Sequence, residues 1–266
     1  MNVTELYTYP VKSLAGISLD KAQLSLTGFQ HDRQHMVVQP DGMFMTQRTH
    51  PQMALVETGF SGDRLVLSSF GMDKIIVNSP DLDSAPRVKT NIWGDVVNGI
   101  AHNKETSQWL SDAIGEDCML LSFPQQEKRQ CDLEFASAGD NTMFADAYPL
   151  LVISQASLDD LNSKLAIPVG MNRFRPNMVV SGCKPFDEDN WKSIKANDIR
   201  LRGIQSCSRC SVPTVDPTTG MLTGPEPIHT LSSYRKWDDG EVYFGMNMAP
   251  DSIGTIRVGD VVSVVN

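Results

Sequence analysis

The sequence predicts a β-rich α+β fold with few helices, arranged as two closely packed domains, and three observations carry that reading. Short runs of aliphatic and β-branched residues recur along all 266 positions, and Gly, Pro, Asn or Asp separates one run from the next. Only two segments hold a helical period for more than two turns. At 41% hydrophobic residues the chain can bury a sizeable core, yet no apolar run approaches the length that spans a bilayer.

Residues 3–11 read as a strand ending at Pro10-Val11-Lys12-Ser13, and 21–27 alternate with Leu24 and Leu26 on one face. Gly28 breaks the chain before His31-Asp32-Arg33, which leads into a strand at 35–38. Pro40-Asp41-Gly42 predicts a tight turn to 43–46, because proline presets φ and glycine permits positive φ. Residues 54–58, 64–68, 74–78 and a pair within 87–102 about Gly94-Asp95 are further short strands. Residues 106–114 set Trp109, Leu110, Ala113 and Ile114 at helical spacing, and Gly115 follows as the residue that ends the helix. A strand at 118–123 precedes a polar loop at 124–140, which marks the boundary between domains 1–120 and 121–266. Residues 150–154 are a buried strand, and 157–165 a helix with Leu158, Leu161 and Leu165 inward and Ser157 as its cap. Strands at 177–181, a hairpin over 194–206 and two strands within 254–265 complete the set, with a short helix at 227–235.

Charge and cysteine usage bound the function. A net charge of -9 argues against sequence-independent nucleic-acid binding, which needs a basic face, but leaves room for a local basic pocket. Five cysteines, an odd number without paired spacing, fit a reducing compartment. The start Met1-Asn2-Val3-Thr4-Glu5 carries an acid where a secretory leader is basic. A cytoplasmic protein without a membrane span is therefore expected.

The chemistry centres on Cys207-Ser208-Arg209-Cys210. A dithiol couple needs a helix N-terminus at the first cysteine, and Val212, Pro213, Val215 and Pro217 are poor helix starters. A zinc site needs more ligands, and Cys183 and His229 are the candidates to join Cys207 and Cys210. One working thiolate favoured by Arg209, beside a merely packed neighbour, is a third reading. Two packed strand cysteines with no chemistry is the fourth.

Several motifs, taken together and in order, resemble the MOSC family, the molybdenum cofactor sulfurase C-terminal type. They are Asn172-Arg173-Phe174-Arg175-Pro176-Asn177, Val180-Ser181-Gly182, Cys207-Ser208-Arg209-Cys210, Thr214-Val215-Asp216 and Pro217 with Gly220. Tyr9-Pro10-Val11-Lys12-Ser13, Gly28, Asp32-Arg33 and Thr46 with Arg48 resemble the MOSC N-terminal β domain. The stretch from Gly254 through Ile256 and Val258 to Gly259-Asp260 is similar to the family's closing strands. Bacterial YcbX-type proteins and the mitochondrial amidoxime-reducing component belong to this group. The resemblance implies a MOSC β-barrel packed with a MOSC N-terminal β domain, and a molybdenum–molybdopterin cofactor in the cleft between them. It implies reduction of N-hydroxylated compounds such as amidoximes and N-hydroxylated bases. Cys210 then ligates molybdenum, and Cys207 matches a family cysteine that does not.

The residues suit such a cofactor. Its phosphate calls for Arg forks, a Lys charge and hydroxyl donors, which Lys12, Ser13, Arg33, Arg48 and Arg175 offer. Asp146 could accept from pterin amino groups, Asn177 could hydrogen-bond the cofactor or begin a strand, and Ser208 and Arg209 flank the metal position. Asn247, in Phe244-Gly245-Met246-Asn247, sits where the family brings a last loop to the site. No Cys-x4-Cys-x2-Cys run occurs, so no iron–sulfur cluster is expected in this chain. Electrons then come from a separate ferredoxin- or flavoprotein-type partner, or from a removed domain. Two other functions stay open: a sulfur carrier with a persulfide on Cys210 activated by Arg209, and a cofactor-binding module without catalysis.

Overall fold

The computed structural model describes residues 1–82 and 84–265. Its strands and helices, in order, begin with β1 (Asn2–Thr8), β2 (Ile17–Leu19), β3 (Lys21–Ser25), β4 (Gly28–Phe29) and β5 (His35–Val38). Next come β6 (Glu57–Ser61), β7 (Arg64–Ser68), β8 (Ile75–Ile76), β9 (Arg87–Ile92), β10 (Asp95–Ala101), α1 (Lys104–Ile114) and β11 (Met119–Ser122). The second half holds β12 (Arg129–Gln130), β13 (Asn141–Thr142), β14 (Leu150–Ser154), α2 (Gln155–Asn162), β15 (Met178–Ser181), β16 (Ser193–Ala196) and β17 (Ile199–Ser208). It ends with β18 (Val215–Asp216), β19 (Met221–Leu222), α3 (Ile228–Ser232), β20 (Tyr243–Pro250), β21 (Gly254–Arg257) and β22 (Val262–Val264).

The main sheet has eight strands in the order β2-β1-β15-β14-β20-β17-β16-β22. All its neighbours run antiparallel except β14 and β15, which α2 connects as a parallel pair. Val3 N–H donates to Asp260 O at 2.9 Å and Val262 N–H to Met1 O at 2.8 Å. These bonds bring the segment entering β22 back onto β1, so the sheet closes as a barrel around Leu6, Val152, Met178, Ile194 and Met248. The first half builds its own core from Val37, Met53, Leu67, Leu110 and Leu120, under the four-stranded sheet β5-β11-β10-β9 and α1. The two halves are not separate in hydrogen bonding: β1 and β2 lie in the barrel sheet, and β3 pairs with β21. The chain division expected near residue 120 therefore crosses shared sheets.

Local sequence explains most elements. Helix α1 starts at Asn103, whose side chain accepts from Thr106 N, and ends at Gly115 in the left-handed region, as its spacing predicts. Four expectations change. Helix α2 begins earlier, capped by Ser154 rather than Ser157, because Ser154 Oγ accepts from Ser157 N at 3.1 Å while Glu188 Oε1 accepts from Ser154 N. Residues Pro51–Leu55 form a 3-10 turn before β6, since Pro51 suits a first helical position. The polar loop at 124–140 contains β12, which pairs with β13. Tyr243–Pro250, read from sequence as a loop at Asn247, is the central barrel strand β20. Gly245, Asn247 and Pro250 lower its strand propensity, and two long neighbours override it.

Gly28 ties the first half to the barrel. Its φ is 111°, and a Cβ there would meet Pro149 O at 2.6 Å. Gly28→Ala should cost about 2 kcal/mol through strained backbone and that clash. Urea unfolding with a loss under a few tenths would refute this account.

Candidate functional site

One cleft of about 610 Å³ lies where the two halves meet, and all eleven site residues read from the sequence line it. The first half supplies Lys12 and Ser13 after β1, Arg33 before β5, and Arg48 in the following loop. The barrel supplies Asp146 before β14, Arg175 and Asn177 before β15, Ser208, Arg209 and Cys210 at the end of β17, and Asn247 within β20. Ser13, Arg33, Trp93 and Arg175 line it with positive φ angles of 68°, 47°, 54° and 55°. Strained backbone of this kind persists only where surrounding contacts fix it, and it gathers at ligand sites.

The cleft is cationic inside an acidic protein. Six cations (Lys12, Arg33, Arg48, Arg129, Arg175 and Arg209) face three carboxylates (Asp95, Asp132 and Asp146) on its wall. Lys12 Nζ donates to Asp146 Oδ1 at 2.6 Å and to Phe144 O at 2.9 Å. Burial pushes the Lys12 ammonium below its usual range. Burial alone would raise the Asp146 carboxyl, but the Lys12 charge and the Trp93 Nε1–H bond of 2.9 Å outweigh it and hold the group well below the usual range. Arg33 is neutralised by Asp32 at 2.6 Å.

Three guanidinium groups differ. Among the described residues, Arg48, Arg175 and Arg209 have no carboxylate within 4.0 Å. Each is propped on an aromatic ring instead: Arg48 on Trp93 at 4.3 Å, Arg175 on Tyr9 at 4.3 Å and Arg209 on Phe174 at 5.5 Å. Arg33 covers the other approach to Tyr9 at 4.2 Å. Arg175 Nη2 and Arg209 Nε are buried without a hydrogen-bond partner. Burial lowers the Arg175 pKa to about 10. Held guanidinium forks with unmet donors favour an anionic, hydrogen-bond-accepting ligand.

Family models match both halves: the MOSC N-terminal beta barrel domain over residues 1–117, and the MOSC domain over residues 139–263. Mitochondrial amidoxime reducing component 2 of Bos taurus is 35% identical, over 97% of this chain and 81% of its own. Mitochondrial amidoxime-reducing component 1 of Mus musculus is 34% identical over 97% and 80%, and that of Homo sapiens 33% over 97% and 81%. This chain belongs to the amidoxime-reducing component family of MOSC proteins.

Within this MOSC chain, the thiols take distinct places. Cys210 is exposed and lies past the end of β17, whereas Cys207 is partly buried in the strand. Arg209 Nη1 donates to Cys207 Sγ at 3.2 Å and Nη2 to Phe174 O at 2.8 Å. The guanidinium thus directs its hydrogen bonds to Cys207 and Phe174 O rather than to Cys210. No helix follows Cys207, only a 3-10 turn at Val212–Thr214. Among the described residues no three His, Cys, Asp or Glu side chains gather as a metal group, so Cys183 and His229 do not complete a zinc set.

Asn177 lines the cleft and also braces its wall. Its Oδ1 accepts from Leu151 N at 3.1 Å and Arg33 Nη1 at 3.2 Å, and its Nδ2 donates to Tyr7 O at 3.3 Å. These bonds fix Arg33 against β14 and leave one Nδ2 hydrogen for a ligand. Asn247 reaches the cleft from a strand, not a loop.

Several wall residues escaped the sequence reading, Arg129 and Trp93 among them. Arg129 donates to Asp95 Oδ2 at 2.8 Å and to the carbonyls of Met143, Ala145 and Asp146, which pins the segment presenting Asp146. Trp93, at the tip of the β9–β10 hairpin, stays 56% exposed while Asp146, Arg48 and Phe44 hold it. An aromatic beside a Gly turn was the only available signal for Trp93, and Arg129 had none.

Proposed function

We propose that the chain is a molybdenum-cofactor-dependent reductase of N-hydroxylated compounds such as amidoximes and N-hydroxylated bases. Its family membership makes it an oxidoreductase. The observation that carries the cofactor reading is the set of carboxylate-free guanidinium groups lining the cleft, Arg48, Arg175 and Arg209, of which Arg175 and Arg209 keep buried unmet donors.

The residues fit a molybdenum–molybdopterin group. Lys12, Ser13, Arg33, Arg48 and Arg175 would hold its phosphate and polar rim, and Asp146 would accept from pterin amino groups. Ser208, Arg209 and Asn247 would flank the metal end, where Cys210 would be the ligand. Bound there, the cofactor supplies two-electron redox chemistry at molybdenum. The overall change consumes two electrons and two protons, breaks the N–O bond, and yields an amidine and water from an amidoxime. The Lys12–Asp146 pair keeps an ionised acceptor at the wall, and the Arg–aromatic props orient donors before the ligand arrives. We place the protein in the cytoplasm, with a separate ferredoxin- or flavoprotein-type donor.

Protein made in a host that assembles molybdenum cofactor should carry about one metal per chain and reduce benzamidoxime with an artificial reductant. Arg175→Ala should lower the bound molybdenum about tenfold or more after dialysis, since it deletes a desolvated charge–anion contact. Folded wild type without molybdenum sinks the proposal. Bound cofactor without turnover favours a non-catalytic module.

A further inference from the structure

The cleft wall is not uniform, and its odd side is residues 130–137. This stretch brings Asp132 and Phe135 to the cleft and no cation, next to Tyr148 and Gln205. The surrounding wall is strongly cationic.

The segment is a loop in sequence but a fixed body in space. Cys131 N–H donates to Asp140 O at 2.9 Å, and Ala136 N–H to Asp132 O at 2.8 Å. Gln130 spans it, with Nε2 donating to Ser137 O at 3.0 Å and Oε1 accepting from Gly139 N at 2.8 Å. Arg202 Nη2 grips both Asp140 oxygens at 2.9 Å, anchoring the loop to β17. Cys131, Ala136 and Tyr148 form a small core against Ile204. Burial, then the charges of Asp132 and its neighbours, raise the Tyr148 pKa to about 12, so its hydroxyl stays protonated and donates to Gln205 Oε1 at 3.2 Å.

On this fixed body Phe135, which lines the cleft, stays 42% exposed. An exposed aromatic ring held on a cavity wall is a ligand surface rather than a packing defect. Asp132 adds an exposed carboxylate; its Oδ1 accepts from Glu134 N at 3.0 Å, which leaves further lone pairs free.

We propose that residues 130–137 form the substrate-selecting face of the cleft, where Phe135 stacks a planar N-hydroxylated amidine and Asp132 accepts its amino hydrogens. The assignment rests on the reductase reading. Its chemistry separates two close substrates. An amidoxime carries an NH2 group beside its C=N–OH, a donor for Asp132. A hydroxamic acid carries a carbonyl there, an acceptor that the carboxylate repels. Asp132 is thus a specificity residue and takes no part in breaking the N–O bond.

The test uses the cofactor-loaded full chain, with benzamidoxime and benzhydroxamic acid as substrates and benzamidine as a calorimetric ligand. Asp132→Asn keeps the acceptor for Glu134 N, so the loop stays folded. It should raise KM for benzamidoxime about tenfold, the loss expected for one charge-assisted hydrogen bond, leave kcat within about twofold, and lower KM for benzhydroxamic acid by relieving the repulsion. Phe135→Ala should raise KM about tenfold for both, as a lost aromatic platform does. Benzamidine should bind about tenfold more weakly to each variant. An unchanged benzamidoxime KM in either variant, or equal shifts for both substrates in Asp132→Asn, overturns the assignment. If loaded wild type reduces neither compound, the reductase reading falls on its own. Calorimetry then decides the face: weaker benzamidine binding to Asp132→Asn upholds it, and equal binding overturns it.

Discussion

Replacing Cys210 by serine is expected to cut turnover of N-hydroxylated substrate more than about a hundredfold, because even outer-shell changes at metal sites cost 10–100-fold. Cys207→Ser should keep bound molybdenum and stay within about tenfold of wild type. The two thiols stand three residues apart but in different settings. Cys210 is exposed at the cleft beyond the last residue of β17, free of the Arg209 fork. Cys207 is partly buried, and its sulfur accepts from Arg209 Nη1 at 3.2 Å. A serine hydroxyl can take over that acceptor role at position 207, whereas it is a poor substitute for a soft thiolate at a metal. Metal analysis and turnover, run on both variants side by side, check this. Equal loss in both, or full activity in Cys210→Ser, would remove Cys210 from the centre of the site.

Stability should fall steeply with mild acid, through a histidine pair one member of which opens β5. His35 and His102 lie 5.3 Å apart with Ser122 Oγ between them, at 3.1 Å from His35 Nδ1 and 2.7 Å from His102 Nε2. His102 Nδ1 donates to Asn78 O at 3.1 Å, so its Nε2 accepts from the serine. Both rings are therefore neutral in the fold. Burial, then the neighbouring histidines, pushes His35 down to about 3, and burial pushes His102 down to about 4. In the unfolded chain both take protons near 6.5. The stability is fully present above that value and is lost as pH falls toward the folded values. By pH 5 each ring costs about 2 kcal/mol, so the pair costs about 4 kcal/mol relative to pH 7.5. Burial raises the Glu188 and Asp189 carboxyls, which acts in the opposite direction, so the histidine variant isolates the contribution of the pair. Lys12 N–H donates to His35 O at 2.8 Å, so acid should loosen a cleft strand as well. Urea unfolding at pH 7.5 and 5.0 measures the difference, and replacing both histidines by glutamine should shrink it to about 1 kcal/mol or less. Equal stability at the two pH values in wild type would contradict the neutral-pair account.

Elements with strong local signals were legible in advance. The hairpin about Gly94-Asp95 emerged as β9 and β10, and Gly115 ended α1 with φ 82°, because turn and cap chemistry act over a few residues. Strand β20 was not legible. Its Gly245 takes φ 86° inside the sheet, a choice made by β14 and β17 on either side rather than by local preference. Arg129 was equally silent, since four bonds to Asp95 and three carbonyls exist only once residues 143–146 fold back onto it.

Short strands, the MOSC motifs and the residue types a phosphate-bearing cofactor needs are all written in local stretches of the chain. Which cations remain free is settled by the folded whole. Arg33 and Arg175 stand 142 residues apart, yet both face Tyr9, and Asp32 neutralises one while the other keeps an unmet donor. Closure of the barrel through Met1, Val3, Asp260 and Val262 is likewise a pairing of chain ends. Such contacts follow from burial and hydrogen-bond satisfaction summed over the whole fold, which no local stretch of sequence encodes.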